Sequence, residues 1–170
     1  VKLKLERWGF YPAGGGRISS VIKPVKKLKP VSIEERGELI SRKCRSVISA
    51  LPETVCEREL KVVKQKLGWS PEELIAEEVE HPLGPGNVLM FELEYENITE
   101  LISSFGDKRT FSEKVASSGV DRVRSYLKAD APIGEYLADQ LLIPMALAGK
   151  SSIVCTVMSS HTLTNIGVIE

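Results

Sequence analysis

Apolar and charged residues alternate from the start of the chain: Val1, Leu3 and Leu5 stand between Lys2, Lys4 and Glu6, which predicts a half-buried strand over 1–7. Trp8-Gly9-Phe10-Tyr11-Pro12 leads into Ala13-Gly14-Gly15-Gly16, and 17–23 reads as a second strand. Three successive glycines permit positive φ and a close backbone approach. That serves a hairpin connection, or a loop against a phosphate or an RNA end; no Lys-Ser/Thr comes after it, so the run is not a Walker-type loop. The Lys/Pro stretch from Pro24 to Pro30 is a connector and a boundary. Beyond it, 39–51 reads mostly as a strand. A helix over 52–67 comes next, with Cys56, Leu60, Val63 and Leu67 on one face and Gly68 closing it.

Ser70-Pro71-Glu72-Glu73 has the form of a capping box, while 74–80 fits a short helix or a strand equally. Gly84-Pro85-Gly86-Asn87 is a turn. Residues 88–95 alternate with Leu89, Phe91, Leu93 and Tyr95 on one face, a strand whose neighbour is 101–105, ended by Gly106-Asp107. Residues ~35–111 thus form a small α+β module. Ser112 caps a helix carrying Val115, Gly119, Val123 and Leu127 at steps of four. A further helix runs from Ala131-Pro132 to Gly149, and strands are expected over 153–157 and 164–169. The module therefore interrupts a larger α+β domain.

Length and composition narrow this picture. One hundred and seventy residues suit one domain, or one domain with a small insert, and 42% hydrophobic with 27% charged residues suits a globular chain. The longest apolar stretch, near Leu141, is broken by Pro144 and falls short of a membrane span. Lys plus Arg equals Asp plus Glu at 23 each, so the overall balance selects no partner. A basic run at Lys23, Lys26, Lys27 and Lys29, with Arg36, Arg42, Lys43 and Arg45 after it, permits RNA binding and equally describes a solvated face. Cys44, Cys56 and Cys155 are odd in number and lack C-x-x-C spacing, which excludes a disulfide framework and a zinc motif and fits a reducing, intracellular compartment. The chain begins with Val and shows no signal-peptide pattern, as expected of a piece of a longer protein, and Asn97-Ile98-Thr99 is a chance sequon.

Two places carry chemistry. On the helix after Gly134, Tyr136, Asp139 and Gln140 fall at i, i+3 and i+4 and share a face, while Leu137, Leu141, Met145 and Ala148 share a packing face. A ring, a carboxylate and an amide together suit a nucleoside: the ring stacks on the base, and the polar groups bond ribose or base edges. The same three residues also compose an ordinary polar surface. Of the two histidines, His81 precedes Pro82 in a loop without metal-ligand partners. His161 comes after Ser159-Ser160 at the end of the expected strand, among small hydroxyl residues that leave it reachable. A lone histidine is often structural. Yet the chain has no Lys-x-Asp-Gly, no H-x-E…C-x-x-C, no hydrolase elbow and no Rossmann fingerprint, so His161 is the best candidate nucleophile for a covalent step.

At these residues the chain resembles a known family. GFYPAGGGRI at Gly9 to Ile18, GEYLADQLLIPMALAG from Gly134 and SSHTLTNI around His161 closely resemble the signatures of RNA 3'-terminal phosphate cyclases. Gly84-Pro85-Gly86-Asn87 and Glu96-Asn97-Ile98-Thr99-Glu100 are similar to family sequence as well. Before Gly9 the family usually has a basic residue, where this chain has Trp8. The resemblance implies an α+β prism of repeated βαβαββ-type units, with a partial catalytic core at 1–36 and 112–170 and an insert domain at 37–111. It implies that Tyr136, Leu137, Ala138, Asp139 and Gln140 line an ATP site. It implies that His161 becomes adenylylated, histidine's reference pKa of ~6.5 leaving imidazole mostly neutral near pH 7. The implied activity is conversion of an RNA 3'-phosphate to a 2',3'-cyclic phosphate in the cytoplasm, with ATP and a divalent metal, Mg or Mn, whose ligands the sequence does not identify. By the same resemblance an N-terminal half and a short C-terminal piece lie outside this chain, and activity is expected to need them. Two alternatives remain: a catalytically silent relative that binds RNA in ribosome assembly, a class that lacks the histidine, and a fold relative such as an enolpyruvyl transferase.

Overall fold

Eleven residues from Leu39 to Ser49 make the longest strand, and the main sheet is built on it. The computed structural model describes residues 1–169 and is a mixed α/β structure. Its elements are β1 (Lys2–Arg7), β2 (Arg17–Val21), β3 (Ser32–Ile33), β4 (Leu39–Ser49), α1 (Thr54–Leu67), a 3-10 turn (Pro71–Glu73), β5 (Leu74–Glu78), β6 (Gly86–Tyr95), β7 (Thr99–Phe105), α2 (Ser112–Lys128), α3 (Glu135–Ala148), β8 (Ser152–Ile153) and α4 (Ser160–Ile169). The strands form a four-stranded sheet in the order β5-β4-β6-β7 and two pairs, β1-β2 and β3-β8. The residues separate into two compact bodies. One holds 1–23, 42–92 and 101–123; the other holds 24–41, 93–100 and 124 onward.

In the first body β4 and β5 run parallel, Cys44 opposite Leu74 through Ile48 opposite Glu78, with α1 as the crossover. Gly68 closes α1 in the left-handed region, at φ 67°, and its N–H reaches the Lys64 carbonyl. Glu73 accepts from the Ser70 N–H at 2.6 Å, the reciprocal half of the capping box, and the next element is a strand rather than a helix. Val63, Leu89, Phe91, Val120 and Val123 are fully buried, Trp69 stands edge-on to Phe91, and Val47 packs in a separate cluster with Val79 and Val88 against Trp8, Phe10 and Met90. Gly119 lets α2 settle on the sheet, since a Cβ there would come within 2.5 Å of the Phe91 ring. Glu59 shares this interior. Its Oε2 accepts from Ser46 Oγ at 2.6 Å and Asn87 Nδ2 at 3.1 Å, its Oε1 has no partner, and burial raises its pKa.

Four expectations change, the first being the helix expected from Ala131-Pro132, which starts at Glu135. The apolar face of β1 is exposed rather than half-buried, because β1 pairs with β2 in a two-stranded ribbon whose six β1 residues all lie open. The strand expected over 153–157 shortens to Ser152–Ile153 plus one bridge at Cys155. The strand expected over 164–169 is the helix α4. Ser159 caps it: its Oγ accepts the Thr162 N–H at 3.1 Å and its carbonyl accepts the Leu163 N–H at 3.0 Å. That bond commits the chain to a helical turn before its β-branched residues can select a strand.

Candidate functional site

The second body begins its site at the entry to α3. Gly134 is the N-cap, with extended backbone, and its N–H donates to Glu100 Oε2 at 3.0 Å. A Cβ on Gly134 would collide with that carboxyl group, so this helix start requires glycine. Glu100 is buried; desolvation raises its pKa, while the Gly134 N–H and the charge of Arg36 act the other way. Arg36 donates to the Ala131 carbonyl at 2.9 Å, to the Ala129 carbonyl at 2.7 Å and to the Tyr126 carbonyl, and its guanidinium lies 4.0 Å from the Tyr126 ring centre. Burial pushes the Tyr126 phenol up to about 12, and its hydroxyl donates to the Pro132 carbonyl at 2.8 Å. Every residue from Ser125 to Glu135 is therefore tied to Arg36, Tyr126 or Glu100, or lies beside one that is.

From there α3 carries the expected face. Tyr136 and Gln140 are exposed and Asp139 is half-buried on the same side. Leu137 is half-buried. Ala138 is buried. Leu141, Met145 and Ala148 are half-buried, consistent with the packing face. After α3 the backbone returns along β8, parallel to β3, and Thr156 donates to the Ile133 carbonyl at 2.8 Å.

His161 stands in the first turn of α4, exposed, and not at a strand end. Its helical neighbour at i+4, Asn165, donates from Nδ2 to Asp139 Oδ1 at 2.6 Å. That bond joins the two stretches the sequence singled out, because it fixes the His161 side of α4 to the Tyr136/Asp139/Gln140 side of α3. The hydroxyl of Ser159 is engaged in the cap and in a 3.0 Å contact with Thr162 Oγ1. The N–H groups of Ser160 and His161 precede the first intrahelical bond and have no acceptor within the helix. The arrangement offers a ring, a carboxylate, an amide, an imidazole and the positive end of a helix within one pair of helices.

His81 lies outside this site, exposed and at φ 55° in a turn of the first body. Lys23, Lys26, Lys27 and Lys29 are exposed as well. Among the described residues no group of three or more His, Cys, Asp or Glu side chains comes together to hold a metal. No described helix is long and apolar enough to cross a membrane. The sequence marks Arg36 only as part of a basic run and Glu100 only as part of a family-like stretch, and neither pattern shows that they meet at the entry to α3. Nor does the sequence show that Asn165 bonds Asp139.

The family model for RNA 3'-terminal phosphate cyclase matches residues 1–170. The chain is 43% identical over all 170 residues to an RNA 3'-terminal phosphate cyclase of Pseudomonas fluorescens, covering 49% of that protein. It is 40% identical over 170 residues to one of Koribacter versatilis and 38% identical over 166 residues to one of Salmonella enteritidis, covering 48% of each. The chain thus spans about half the length of the curated relatives it matches. With a match along its whole length, it belongs to the RNA 3'-terminal phosphate cyclase family.

Proposed function

We propose that this chain carries the nucleotide-transfer site of an ATP-dependent enzyme that converts an RNA 3'-terminal phosphate into a 2',3'-cyclic phosphodiester through AMP held on His161. The observation that carries the reading is the Asn165–Asp139 bond, which sets the exposed imidazole one helical turn from the Tyr136/Asp139/Gln140 face. Tyr136 has the exposed ring needed to stack on adenine, and Asp139 and Gln140 have the acceptors and donors for ribose. Leu137 and Ala138 complete the segment as packing residues.

A ring nitrogen of His161 attacks the α-phosphorus of ATP, the N–P bond forms, and the bond to pyrophosphate breaks. The free N–H groups at the start of α4 favour the negative charge that gathers there. An oxygen of the RNA 3'-phosphate then takes AMP from the imidazole. The neighbouring 2'-hydroxyl attacks the activated phosphorus, loses its proton to solvent and expels AMP. Among the described residues no group of three or more His, Cys, Asp or Glu side chains comes together to hold Mg or Mn. The reading extends to the architecture: a prism of repeated βαβαββ-type units, residues 1–36 and 112–170 in the catalytic core and 37–111 as the insert. The free thiols of Cys44, Cys56 and Cys155 support a reducing, cytoplasmic setting.

The test uses the full-length protein and ATP labelled at the α-phosphate. A phosphoramidate on His161 is lost in mild acid, where protonated imidazole leaves readily, and survives alkali. Label should map to His161 by peptide mass and vanish in His161→Ala without loss of fold. Acid-stable label, or label on another residue, ends this reading. A protein that binds RNA but never acquires AMP would instead be a silent scaffold.

A further inference from the structure

The first body holds a cavity of about 740 Å³ that the nucleotide-transfer site does not use. Its size is in the usual range for small-ligand sites. Its walls bring together three segments distant in sequence: the glycine-signature loop through Phe10, Tyr11 and Pro12, the turn at Asn87, and the segment from Phe105 to Lys108.

The signature loop is a rigid mount. Gly14 N–H closes it on the Phe10 carbonyl at 2.7 Å, with Gly14 and Gly15 at φ 67° and 76°. A Cβ on Gly9 would strike the Gly16 backbone, and one on Gly86 would strike the Phe10 ring. Phe10 stacks on Trp8, whose indole N–H donates to Glu77 at 3.2 Å. Anchored on one side in this way, the loop leaves the Tyr11 ring 95% exposed at the cavity wall. A large aromatic held that far into water by so many close backbone contacts has no packing role in this body. Phe105, also in the wall, is 68% exposed.

The wall carries one cation, Lys108, and one carboxylate, Asp107. Asp107 spends its carboxylate locally, accepting the Arg109 N–H at 2.7 Å and the Thr110 hydroxyl at 2.9 Å, which lowers its pKa. Those bonds shape the turn that presents Lys108 beside the cavity. Aromatic faces next to a cation are what single-stranded nucleic acid needs, a platform for each base and a charge for its phosphate. We propose that this cavity holds one nucleotide of a single-stranded RNA, its base stacked on Tyr11 and its phosphate beside Lys108. The inference rests on the cyclase reading for its choice of RNA, and gives the family's glycine signature a substrate-binding use.

The test is equilibrium binding of a fluorescein-labelled single-stranded oligoribonucleotide with a 3'-phosphate to full-length protein without ATP. Tyr11→Ala should weaken binding about 5- to 100-fold, and Tyr11→Phe should restore it. Lys108→Gln should flatten the dependence of log affinity on log salt by about 0.7. A 4-thiouridine oligonucleotide should crosslink to peptides containing Tyr11 or Phe105. Tyr11 is 95% exposed, and a far-UV circular dichroism spectrum unchanged from wild type checks that its variants fold. Affinity indifferent to both Tyr11 and Lys108 overturns the proposal, and is the result expected if the groove serves a protein partner. Labelling by ATP alone separates the two readings. If His161 acquires AMP while RNA ignores Tyr11, this inference fails and the nucleophile stands. If RNA depends on Tyr11 while no AMP is acquired, the reverse holds.

Discussion

The two bodies are held together by different means. In the first, Phe91, Leu89 and Val63 are fully buried, and Val47 packs with Val79 and Val88 in a second apolar cluster. In the second, α3 buries one residue, Ala138, and α4 buries one, Thr162. These two helices are fixed by polar, local contacts: Glu100 at the start of α3, Ser159 at the start of α4, and Asn165 on Asp139. Burial is non-directional and makes a stable scaffold, whereas hydrogen bonds fix angles and registers. The helices that carry the proposed nucleotide-transfer residues have their positions set by bonds of the second kind.

This contrast makes predictions that differ in size. The largest belongs to the apolar body. Phe91→Ala removes a fully buried ring under α2 and beside Trp69, and should cost about 3–5 kcal/mol. Both tryptophans lie in this body, so a denaturant titration monitored by tryptophan fluorescence measures it directly. A loss under about 1 kcal/mol, far below the usual cost of emptying a buried aromatic site, would show that the interior is not the main source of stability.

A smaller effect is expected at the polar joint. Glu100→Ala leaves the buried Gly134 N–H without an acceptor, at about 1–3 kcal/mol. Because the bond is local, the loss should appear as faster amide exchange in the first turns of α3, while the fluorescence transition of the other body stays put. Glu100→Gln keeps an acceptor oxygen and should retain most of the protection. Equal exchange in wild type and Glu100→Ala would remove Glu100 as the element that starts this helix.

The smallest effect is a slope. Glu59 is a carboxyl inside the apolar body with one oxygen unpartnered, and burial, partly offset by Ser46 and Asn87, raises its pKa above the ordinary 4.5. A raised folded-state value means the stability it contributes is full below the unfolded pKa and is lost as pH rises through the folded one. Wild-type stability should therefore fall relative to Glu59→Gln as pH climbs from about 4.5, by at most ~1.4 kcal/mol per unit. Parallel curves for the two proteins would mean that Glu59 is ionised in place.

Much of this was legible in one dimension, and the exceptions share a cause. Cys56 and Val63 on α1, the alternation of Leu89, Phe91 and Leu93 on β6, and the Tyr136/Asp139/Gln140 face of α3 come from side-chain periodicity, which local backbone geometry sets. His161 was identifiable as a reachable histidine because small hydroxyl residues surround it. Its helix was not, since Thr164, Ile166, Val168 and Ile169 favour a strand unless Ser159 nucleates the turn first. Glu59, Glu100 and Arg36 read as surface charges in any short stretch of sequence. Only the folded chain brings Asn87 to Glu59, Gly134 to Glu100 and the carbonyls of 126–131 to Arg36.

The motifs that resemble the family's, the polar face of α3 proposed to meet a nucleotide, and the histidine are visible in the sequence, because a chain displays such patterns without folding. Folding was needed to settle that His161 opens a helix and that this helix is bonded through Asn165 to Asp139. Folding also settled that a glycine loop near the start of the chain and a lysine nearly a hundred residues later share one cavity. Those are relations between distant segments, and their partners are chosen by packing and by the need to satisfy buried polar groups, neither of which a local pattern records.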